Sequence, residues 1–363
     1  MNLQRKIIVF ATKGENTNDE LRILSLLDGF KVDIFAFDYR KKILSFWLLI
    51  KNSLASKPKL IVMEGTGISG GFACLILRWF FNIPYVVSSG DAVAPFIAMK
   101  SNRLVGYFAY LYEYLLCRFC AGFIGWTPYL VGRALTFGAP KGITAAGWSE
   151  KSYGFADLDR YRQVIRDKLR IPQQAIVYGL IGSLVWVKKL EYCYGVELVR
   201  ARQQVDPDAD VYVIIGGDGT GTSHLQTLAG DLLGTKIILT GNIPSDRVLE
   251  YLAAMDVASL PQSVDGVGSF RYTTKVSEYL AAKLPIAIGQ VPMTYDLLMD
   301  YSWCLAGKNP WDDKYIDLLA KLMENLTIEE IAEKKQMIPS SLKEFDLESQ
   351  RKKVTKFIED ILR

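Results

Sequence analysis

One short stretch of the sequence places a cation and a carboxylate where a helix begins. Residues 263–274 contain two glycines, an arginine and several hydroxyl side chains, and a helix is predicted to begin near Thr274. The free N–H groups and positive end of a helix favour an anion, and Lys275 and Glu278 share one helix face. We expect Arg271, Lys275 and the helix start to hold a diphosphate, with Glu278 accepting hydrogen bonds from both hydroxyls of a ribose. An ordinary surface ion pair is the competing interpretation, and the strand predicted directly after the helix argues against it.

Two more loops of the second half follow predicted strands and offer backbone groups to a ligand. Gly182 ends the strand predicted at 175–182, and Gly217 lies in the glycine-rich turn after the next strand. Glycine at such a position lets the backbone approach a ligand closely. Lys188, a few residues after Gly182, offers a point charge to a phosphate. A surface lysine and a plain tight turn are the simpler interpretations of these two loops.

Polar residues also follow strands in the first half. Glu64 ends the strand predicted at 59–64, and Asp91 follows the next one. Asp91 is the first-half candidate for a group near a reacting substrate, with helix capping as the alternative. Lys13 and Gly14, after the first strand, and Thr127, at a helix start, are further candidates for substrate contact.

The elements that position these residues are strands and helices in strict alternation. Several strands are continuous apolar runs, which are typical of parallel sheets covered by helices on both faces. The pattern predicts an α/β chain of two doubly wound domains, divided after residue 170, with a C-terminal amphipathic helix. The predicted strands are 6–11, 31–37, 59–64, 84–89, 122–126, 142–146, 175–182, 210–216, 235–240, 256–260, 285–289 and 301–306.

Composition narrows the class of protein. The chain has 363 residues, is 50% hydrophobic and carries a net charge of +4, which fits two globular domains. Residues 1–170 hold 23 Lys+Arg and 13 Asp+Glu (+10), and the remainder holds 20 and 26 (−6). The basic half favours an anionic membrane surface or acceptor; solvated helix faces are the alternative, and nucleic acid is not indicated.

Three further features exclude other classes. The chain begins without a long apolar signal segment, so export is not expected. The apolar run at 107–123 is interrupted by two charges and predicts a buried core helix rather than a membrane span. Cys117 and Cys120 have no second pair or nearby histidine, so buried thiols in a reducing compartment are expected.

Motifs in the second half resemble a known family. Gly-Asp-Gly at 217–219, Thr-Gly-Asn-Ile-Pro at 240–244 and Thr-Lys-x-x-Glu-Tyr-Leu-Ala-Ala-x-x-Pro-Ile at 274–286 follow one another in order. Over residues 175–300 they resemble the donor domain of family-four, group-one retaining glycosyltransferases. The resemblance implies the GT-B fold, in which two Rossmann-like doubly wound parallel-sheet domains face each other across a cleft.

The resemblance implies a division of labour along the chain. Residues 1–170 would bind the acceptor and residues 171–340 the nucleoside-diphosphate sugar. Residues 341–363 would form a helix that packs on the body of the protein or crosses back to the first domain. The expected acceptor is a glycan or lipid-linked molecule of the cell envelope, and the expected location is cytoplasmic, with peripheral contact at the inner membrane face. No metal or cofactor is expected.

The resemblance also implies roles for single residues. Glu278 would take the ribose hydroxyls, Lys188 the donor phosphates, and residues 266–274 the diphosphate and sugar, while the backbone at Asn242 and Ile243 would line the base pocket. The candidate donor-binding residues are Gly182, Ser183, Lys188, Gly217, Asn242, Ile243, Gly268, Arg271, Thr273, Thr274, Lys275 and Glu278. The candidate catalytic residues are Asp91, Lys188 and Arg271, and the acceptor-side candidates are Lys13, Gly14, Glu64 and Thr127.

The sequence departs from the family pattern at three places. Ser183 stands where many members carry arginine, and Phe270 stands where the paired-glutamate motif has its first glutamate. The only histidine is His224, so the first half lacks the family's active-site histidine. These departures favour the alternative of a non-catalytic nucleotide-sugar-binding or scaffold protein. A nucleotide-sugar epimerase is a third hypothesis, against which cleft carboxylates and histidines are sparse.

Overall fold

The computed structural model describes residues 6–146, 157–339 and 344–363, and its internal contacts divide the chain into two units. Unit 1 comprises Met1–Trp148, Phe270–Tyr272 and Ser341–Arg363, and unit 2 comprises Ser149–Ser269 and Thr273–Ser340. Each unit contains one six-stranded sheet in which every paired strand is parallel. All twelve predicted strands are present, so the predicted α/β, doubly wound class is confirmed.

Unit 1 has strand order β2-β1-β3-β4-β5-β6. Its strands are β1 (Ile7–Ala11), β2 (Val32–Ile34), β3 (Leu60–Glu64), β4 (Tyr85–Ser89), β5 (Gly122–Gly125) and β6 (Gly142–Thr144). Its helices are α1 (Asn18–Leu26), α2 (Lys42–Ser56), α3 (Ile68–Phe81), α4 (Val93–Lys100), α5 (Arg103–Phe119), α6 (Pro128–Thr136) and, near the C-terminus, α15 (Leu347–Leu362).

Unit 2 has strand order β12-β11-β10-β7-β8-β9. Its strands are β7 (Ile176–Ile181), β8 (Val211–Gly216), β9 (Ile237–Gly241), β10 (Val257–Leu260), β11 (Ile286–Gly289) and β12 (Ser302–Leu305). Its helices are α7 (Leu158–Leu169), α8 (Val196–Gln204), α9 (Thr222–Ala229), α10 (Val248–Ala253), α11 (Thr274–Ala281), α12 (Pro292–Asp296), α13 (Asp313–Asn325) and α14 (Ile328–Met337).

The sheet of unit 1 is buried on both faces by different helices. Side chains of α2, α3 and α5 form one apolar cluster with one face of the sheet. On the other face, α1 and α15 cover β1, β3 and β5, and the Phe357 ring packs so closely that a Cβ on Gly122 would lie 2.5 Å from it. The C-terminal helix therefore completes the core of unit 1.

The boundary between the units lies earlier than the predicted division after residue 170. Helix α7 belongs to unit 2 because its Arg166, fully buried, donates to both the Ala254 carbonyl (3.0 Å) and the Asp256 carboxylate (2.6 Å). Arg162, one turn earlier, donates to the same carboxylate at 2.7 Å. From the sequence alone, the charged residues of this helix suggest a linker. In the structure they attach the helix to unit 2.

Two sequence expectations concern the apolar helix of unit 1. The run at 107–123 was expected to be a buried core helix, and this prediction is wrong for one side of α5, where Tyr107 and Phe108 are exposed. Cys117 and Cys120 are buried, and burial raises the pKa of the Cys120 thiol to about 12. Among the described residues, no helix is both long and apolar enough to cross a membrane.

Candidate functional site

The strand order of unit 2 reverses between β7 and β10. In open parallel sheets a crevice forms beyond the carboxyl ends of the strands at such a reversal, and ligands bind there. The loops that bound this crevice are those that follow β7 and β10. Together with helix α11, they contain nine of the twelve candidate donor-binding residues.

Gly182 and Lys275 come together at this crevice. A Cβ on Gly182 would lie 2.6 Å from Lys275 Cε and 2.8 Å from its ammonium nitrogen, so the lysine chain lies directly on the glycine backbone. The ammonium also sits over the Tyr194 ring, 4.8 Å from its centroid, which is a favourable cation–π distance. The strand-end glycine thus makes room for a cation, and the two predicted residues form one positive position.

Glu278 lies one turn after Lys275 on α11 and faces the same side. The neighbouring Val276 and Tyr279 are fully buried and fix the helix on the sheet. Burial raises the pKa of the half-buried Glu278 carboxyl, and the charge of Lys275 partly offsets that rise. An acceptor and a cation therefore stand side by side, with part of the carboxylate open to solvent.

The glycine loop after β8 packs against the loop after β7. Gly217, in the left-handed region at φ +123°, approaches the carbonyl oxygen of Gly182 so closely that a Cβ would lie 1.8 Å from it. The Gly217 amide donates to the Gly241 carbonyl at 2.8 Å. Asp218 holds the turn by accepting from the Gly219 amide and the Thr222 hydroxyl, and these hydrogen bonds lower its pKa. Gly217 is therefore required by the fold, whatever its role toward a ligand.

The loop before α11 is also tightly wound. Asp265 accepts from the amides of Val267 and Gly268, each at 2.8 Å, and a Cβ on Gly268 would lie 2.1 Å from the Ser263 carbonyl oxygen. At the helix start, Thr273 occupies the N-cap position without a side-chain capping bond, and Thr274 is exposed. The Thr273 side chain therefore does not cap the first amide groups of α11.

The other candidate donor residues are Ser183, directly after Gly182, Lys188, later in the same loop, and Asn242 and Ile243, after β9. Ser183 and Lys188 are exposed, and Lys188 lies in a turn closed by Val187 and Tyr192 rather than in a helix. Asn242 is exposed as well. Ile243 is buried against Gly216, where a Cβ would lie 2.6 Å from it.

Three residues of the loop before α11, Phe270–Tyr272, are grouped with unit 1. Phe270 packs against the apolar cluster of that unit, and its carbonyl accepts from the Thr127 hydroxyl at 2.8 Å. Arg271 lies 2.7 Å from the Asp91 carboxylate, and both side chains are about one-third exposed. The structure therefore brings together two candidate catalytic residues as an ion pair, and Asp91 is not a helix cap, since Ala92 takes that place in α4.

Two acceptor-side candidates are internal. Glu64 is 1% exposed and pairs with buried Arg22 at 2.9 Å, while the Trp126 indole donates to its other oxygen at 3.2 Å. Thr127 is fully buried and caps α6 by accepting from the Leu130 amide. The prediction that these two side chains face a substrate is wrong, because both are used to hold unit 1 together.

Lys13 and Gly14 remain at the surface loop after β1. Lys13 is exposed and pairs with Asp19 at 2.9 Å. Gly14 adopts a φ of +108° and lies against the Tyr39 ring, so its glycine is explained by the turn. The loop stays available to a ligand through Lys13.

Sequence reasoning missed a buried carboxylate beneath the crevice. Glu197, in the first turn of α8, is fully buried and accepts from the Tyr192 hydroxyl, the Gly195 amide and the Ser259 hydroxyl. Burial raises its pKa to about 7. The only available signal was a glutamate among apolar residues, and its partners lie on other elements.

The sequence has a single histidine, His224, which lies on α9. His224 stacks on Trp186 with ring centroids 4.0 Å apart, which steadies the loop between Ser183 and Lys188. Within the described ranges, no group of three or more His, Cys, Asp or Glu is arranged to hold a metal ion. The arrangement in unit 2 can bind an anion beside a pair of hydroxyl groups.

Comparison with known proteins places this geometry in context. Residues 162–338 match the family model described as glycosyl transferases group 1. No curated protein sequence matches the chain. Solved structures share the whole fold at low identity, and a likeness at that level shows the fold alone.

Three solved structures illustrate the likeness. HepE from Anabaena, in complex with UDP and glucose, is 14% identical, covers 98% of this chain and 99% of its own, and has a TM-score of 0.70. Sucrose-phosphate synthase from Thermosynechococcus elongatus is 13% identical with a TM-score of 0.65, covering 98% and 99%. The lipopolysaccharide outer core galactosyltransferase WaaB is 10% identical with a TM-score of 0.66, also covering 98% and 99%. The two units together thus have the GT-B fold predicted from the sequence.

Proposed function

Since residues 162–338 match the family model described as glycosyl transferases group 1, we propose that the chain transfers a sugar from a nucleoside-diphosphate sugar to an acceptor hydroxyl. The observation that carries the proposal is the placement of Lys275 on the Gly182 backbone with Glu278 one turn away. A diphosphate needs a cation and free amide groups, and a ribose needs a carboxylate acceptor. All of these lie at the sheet reversal of unit 2.

We assign the donor contacts as follows. Glu278 accepts hydrogen bonds from the ribose hydroxyls, and Lys275 with the first amides of α11 takes the diphosphate. The base lies near Asn242, and Lys188 reaches the phosphates from its exposed turn. Support for Lys188 and Asn242 comes from their exposure and their place after strands rather than from any contact with the central pair.

The proposed reaction breaks the bond between the anomeric carbon and the diphosphate oxygen and forms one to the acceptor oxygen. Cations placed at the diphosphate stabilise the charge that grows on it as the sugar departs. We propose retention of configuration, with the leaving phosphate oxygen accepting the proton of the acceptor hydroxyl. We also propose that protein cations, without a metal ion, neutralise the leaving group.

The donor and acceptor classes are the finer parts of the proposal. HepE was solved with UDP and glucose, which makes UDP-glucose the first donor to test. For the acceptor we propose a lipid-linked or cell-envelope glycan that binds unit 1, supported by the excess of positive charge in residues 1–170. A peripheral contact of unit 1 with a membrane surface belongs to this proposal.

A second function is favoured by one specific observation. Phe270 packs into unit 1, and the adjacent Arg271 pairs with Asp91, so groups at these positions are engaged with protein. A non-catalytic protein that binds a nucleotide sugar without turning it over would show this arrangement.

The first test is a thermal-melting screen against UDP, GDP, ADP and dTDP. At a fixed ligand concentration, a ligand that binds only the folded state raises the apparent stability more when it binds more tightly, and we expect the largest shift with UDP. Glu278→Ala should abolish the shift, while Glu324→Ala, which removes an exposed carboxylate on α13 of the same unit, should retain it. Equal shifts in both variants would contradict the site.

The same measurement against pH checks the charge state of the site. The Glu278 carboxylate must be ionised to accept from two hydroxyls, and burial raises its pKa. The UDP-induced shift should therefore weaken as the pH falls through that raised pKa. Release of UDP from UDP-glucose then separates the two functions: turnover supports the transferase, and tight binding without turnover supports the binding protein.

A further inference from the structure

The outer face of three helices in unit 1 is unusually apolar. Of the 29 large hydrophobic side chains that are exposed in the described part of the chain, four lie on α2, five on α3 and eight on α5. Ile43 is 77% exposed, Trp47 62% and Phe80 73%. A patch of this kind on a soluble domain marks an interaction surface. The side chains are Ile43, Leu44, Trp47, Leu48, Ile68, Phe72, Trp79, Phe80, Phe81, Leu104, Val105, Tyr107, Phe108, Tyr110, Leu111, Tyr114 and Phe119; we call this set the apolar face.

The apolar face is continuous because α3 packs against both α2 and α5. Aromatic contacts link α3 to α5: Phe72 meets Tyr112 at 5.2 Å, and Trp79 meets Phe119 edge to face at 5.3 Å between ring centroids. The opposite stripes of the same helices already fill the core of unit 1, so this second stripe is not needed for folding.

The charge around the apolar face is mostly positive. Residues 38–120 contain ten Lys+Arg and four acidic residues, Asp38, Glu64, Asp91 and Glu113, of which Asp38 is exposed before α2. Glu64 and Glu113 are buried in ion pairs with Arg22 and Arg133, and Asp91 pairs with Arg271. The cations of α2 include Lys42 and Lys51, both exposed on either side of Trp47 along the helix.

We propose that the apolar face docks unit 1 on the surface of a bilayer that contains anionic lipids, with α2, α3 and α5 lying against the headgroups. Aromatic side chains prefer the boundary between headgroups and acyl chains, and lysines beside them are attracted to negatively charged lipid. The inference rests on the membrane contact in the proposed function and identifies the surface and the lipid chemistry. It does not depend on donor binding.

The alternative occupant is a second copy of the chain. Two copies joined through this face would bring their Lys42 and Lys51 side chains together, and like charges at an interface are unfavourable. Charge complementarity therefore favours anionic lipid over self-association.

Flotation of the full chain with vesicles tests the proposal. We expect binding to vesicles of equal parts phosphatidylcholine and phosphatidylglycerol, with weaker binding to phosphatidylcholine alone. The double variant Trp47→Ser, Phe80→Ser should bind at least about tenfold more weakly, because each aromatic side chain buries a large apolar surface. The matched control, Met299→Ser with Ile328→Ser, removes side chains that are 64% and 55% exposed from unit 2 and should bind like the wild type.

A charge variant and a folding readout complete the design. Lys42→Glu with Lys51→Glu should weaken binding to the anionic vesicles and leave binding to phosphatidylcholine unchanged. All variants should keep the wild-type melting shift with UDP, which shows that they fold and separates failure of this inference from failure of the donor site. Equal vesicle binding by the aromatic double variant and its control would overturn the proposal. So would a wild-type dimer in solution that the aromatic variant dissociates without any binding to vesicles.

Discussion

The two sheets reverse their strand order at comparable points, and the structure fills the two crevices differently. In unit 1 the reversal lies between β1 and β3. There the Thr12 side chain lies so close to the loop after β3 that a Cβ on Gly65 would be 2.3 Å from the Thr12 hydroxyl. Glu64 forms a buried ion pair with Arg22, and the Arg22 guanidinium stacks on the Trp126 ring. In unit 2 the reversal lies between β7 and β10, and the Lys275 side chain lies on Gly182 beside the partly buried Glu278 carboxylate.

A reversal of strand order creates a crevice, but it does not determine whether that crevice binds a ligand. Both reversals carry a glycine at the strand end or just after it, and both have a glutamate nearby. In unit 1 the glutamate faces a buried arginine, so its charge is used within the protein. In unit 2 part of the Glu278 side chain is exposed to solvent, so its charge is available to a ligand.

Breaking the buried Arg22–Glu64 ion pair should have the largest effect on stability. Glu64→Gln leaves Arg22 buried without an opposite charge, and removal of one partner of such a pair costs about 3–5 kcal/mol of unfolding free energy. Urea unfolding measures this loss. Glu15→Gln, at an exposed position nearby, should change stability by less than about 0.5 kcal/mol. The UDP-induced melting shift should persist in both variants, and a lost shift in folded Glu64→Gln would place this residue at the donor after all.

The buried Glu197 should make the stability of unit 2 depend on pH. Its pKa in the folded chain is about 7, above the ordinary value of 4.5, so the folded state binds more protons between these values. Stability from this group is therefore greatest below pH 4.5 and is lost as the pH rises to about 7, by at most about 3 kcal/mol. Glu197→Gln should flatten this slope in unfolding experiments, whereas the exposed Glu333→Gln should not. An unchanged slope would show that another group is responsible.

Two glycine substitutions should separate the ligand role of a glycine from its folding role. Gly217→Ala places a Cβ 1.8 Å from a carbonyl oxygen at a positive φ, so we expect a clear loss of stability. Gly182→Ala meets only the mobile end of Lys275, so the fold should survive while UDP affinity, measured by calorimetry, falls about tenfold. Gly132→Ala, with open space around it, is the control for both. Equal affinity in Gly182→Ala and wild type would exclude Lys275 from the donor site.

Breaking the partly exposed Asp91–Arg271 ion pair should have the smallest effect on stability. Asp91 and Arg271 are about one-third exposed, and ion pairs of this kind contribute about 0–1 kcal/mol. Asp91→Asn should therefore unfold like the wild type. If Asp91 acts near the reacting sugar, kcat should fall while the KM for the donor stays the same. A wild-type kcat would leave the pair with a purely structural role.

The fold was predictable because the strands are continuous apolar runs between helices. Val211 to Ile215, for example, has no charged residue, and it forms an interior strand of its sheet. The helix start at Thr274 and the shared face of Lys275 and Glu278 were also predictable, since they follow from local spacing along one helix.

Contacts between distant residues were not predictable from one sequence. The Arg22–Glu64 pair joins residues 42 positions apart, and nothing local distinguishes Glu64 from a ligand-facing strand end. Phe270 and Arg271 read as part of the donor loop, but the packing of three residues groups them with unit 1. Hydropathy likewise could not show which apolar stripe of α5 faces solvent, because both stripes are apolar.

The position of α15 has a consequence for how the protein is made. This helix supplies Val354, Phe357 and Ile358 to the second face of the sheet of unit 1, yet residues 158–339 are synthesised before it. Domains usually fold in the order in which they leave the ribosome. Here the half translated first must wait with α1 alone on one side of its sheet, and unit 2 has its full set of helices before unit 1 does.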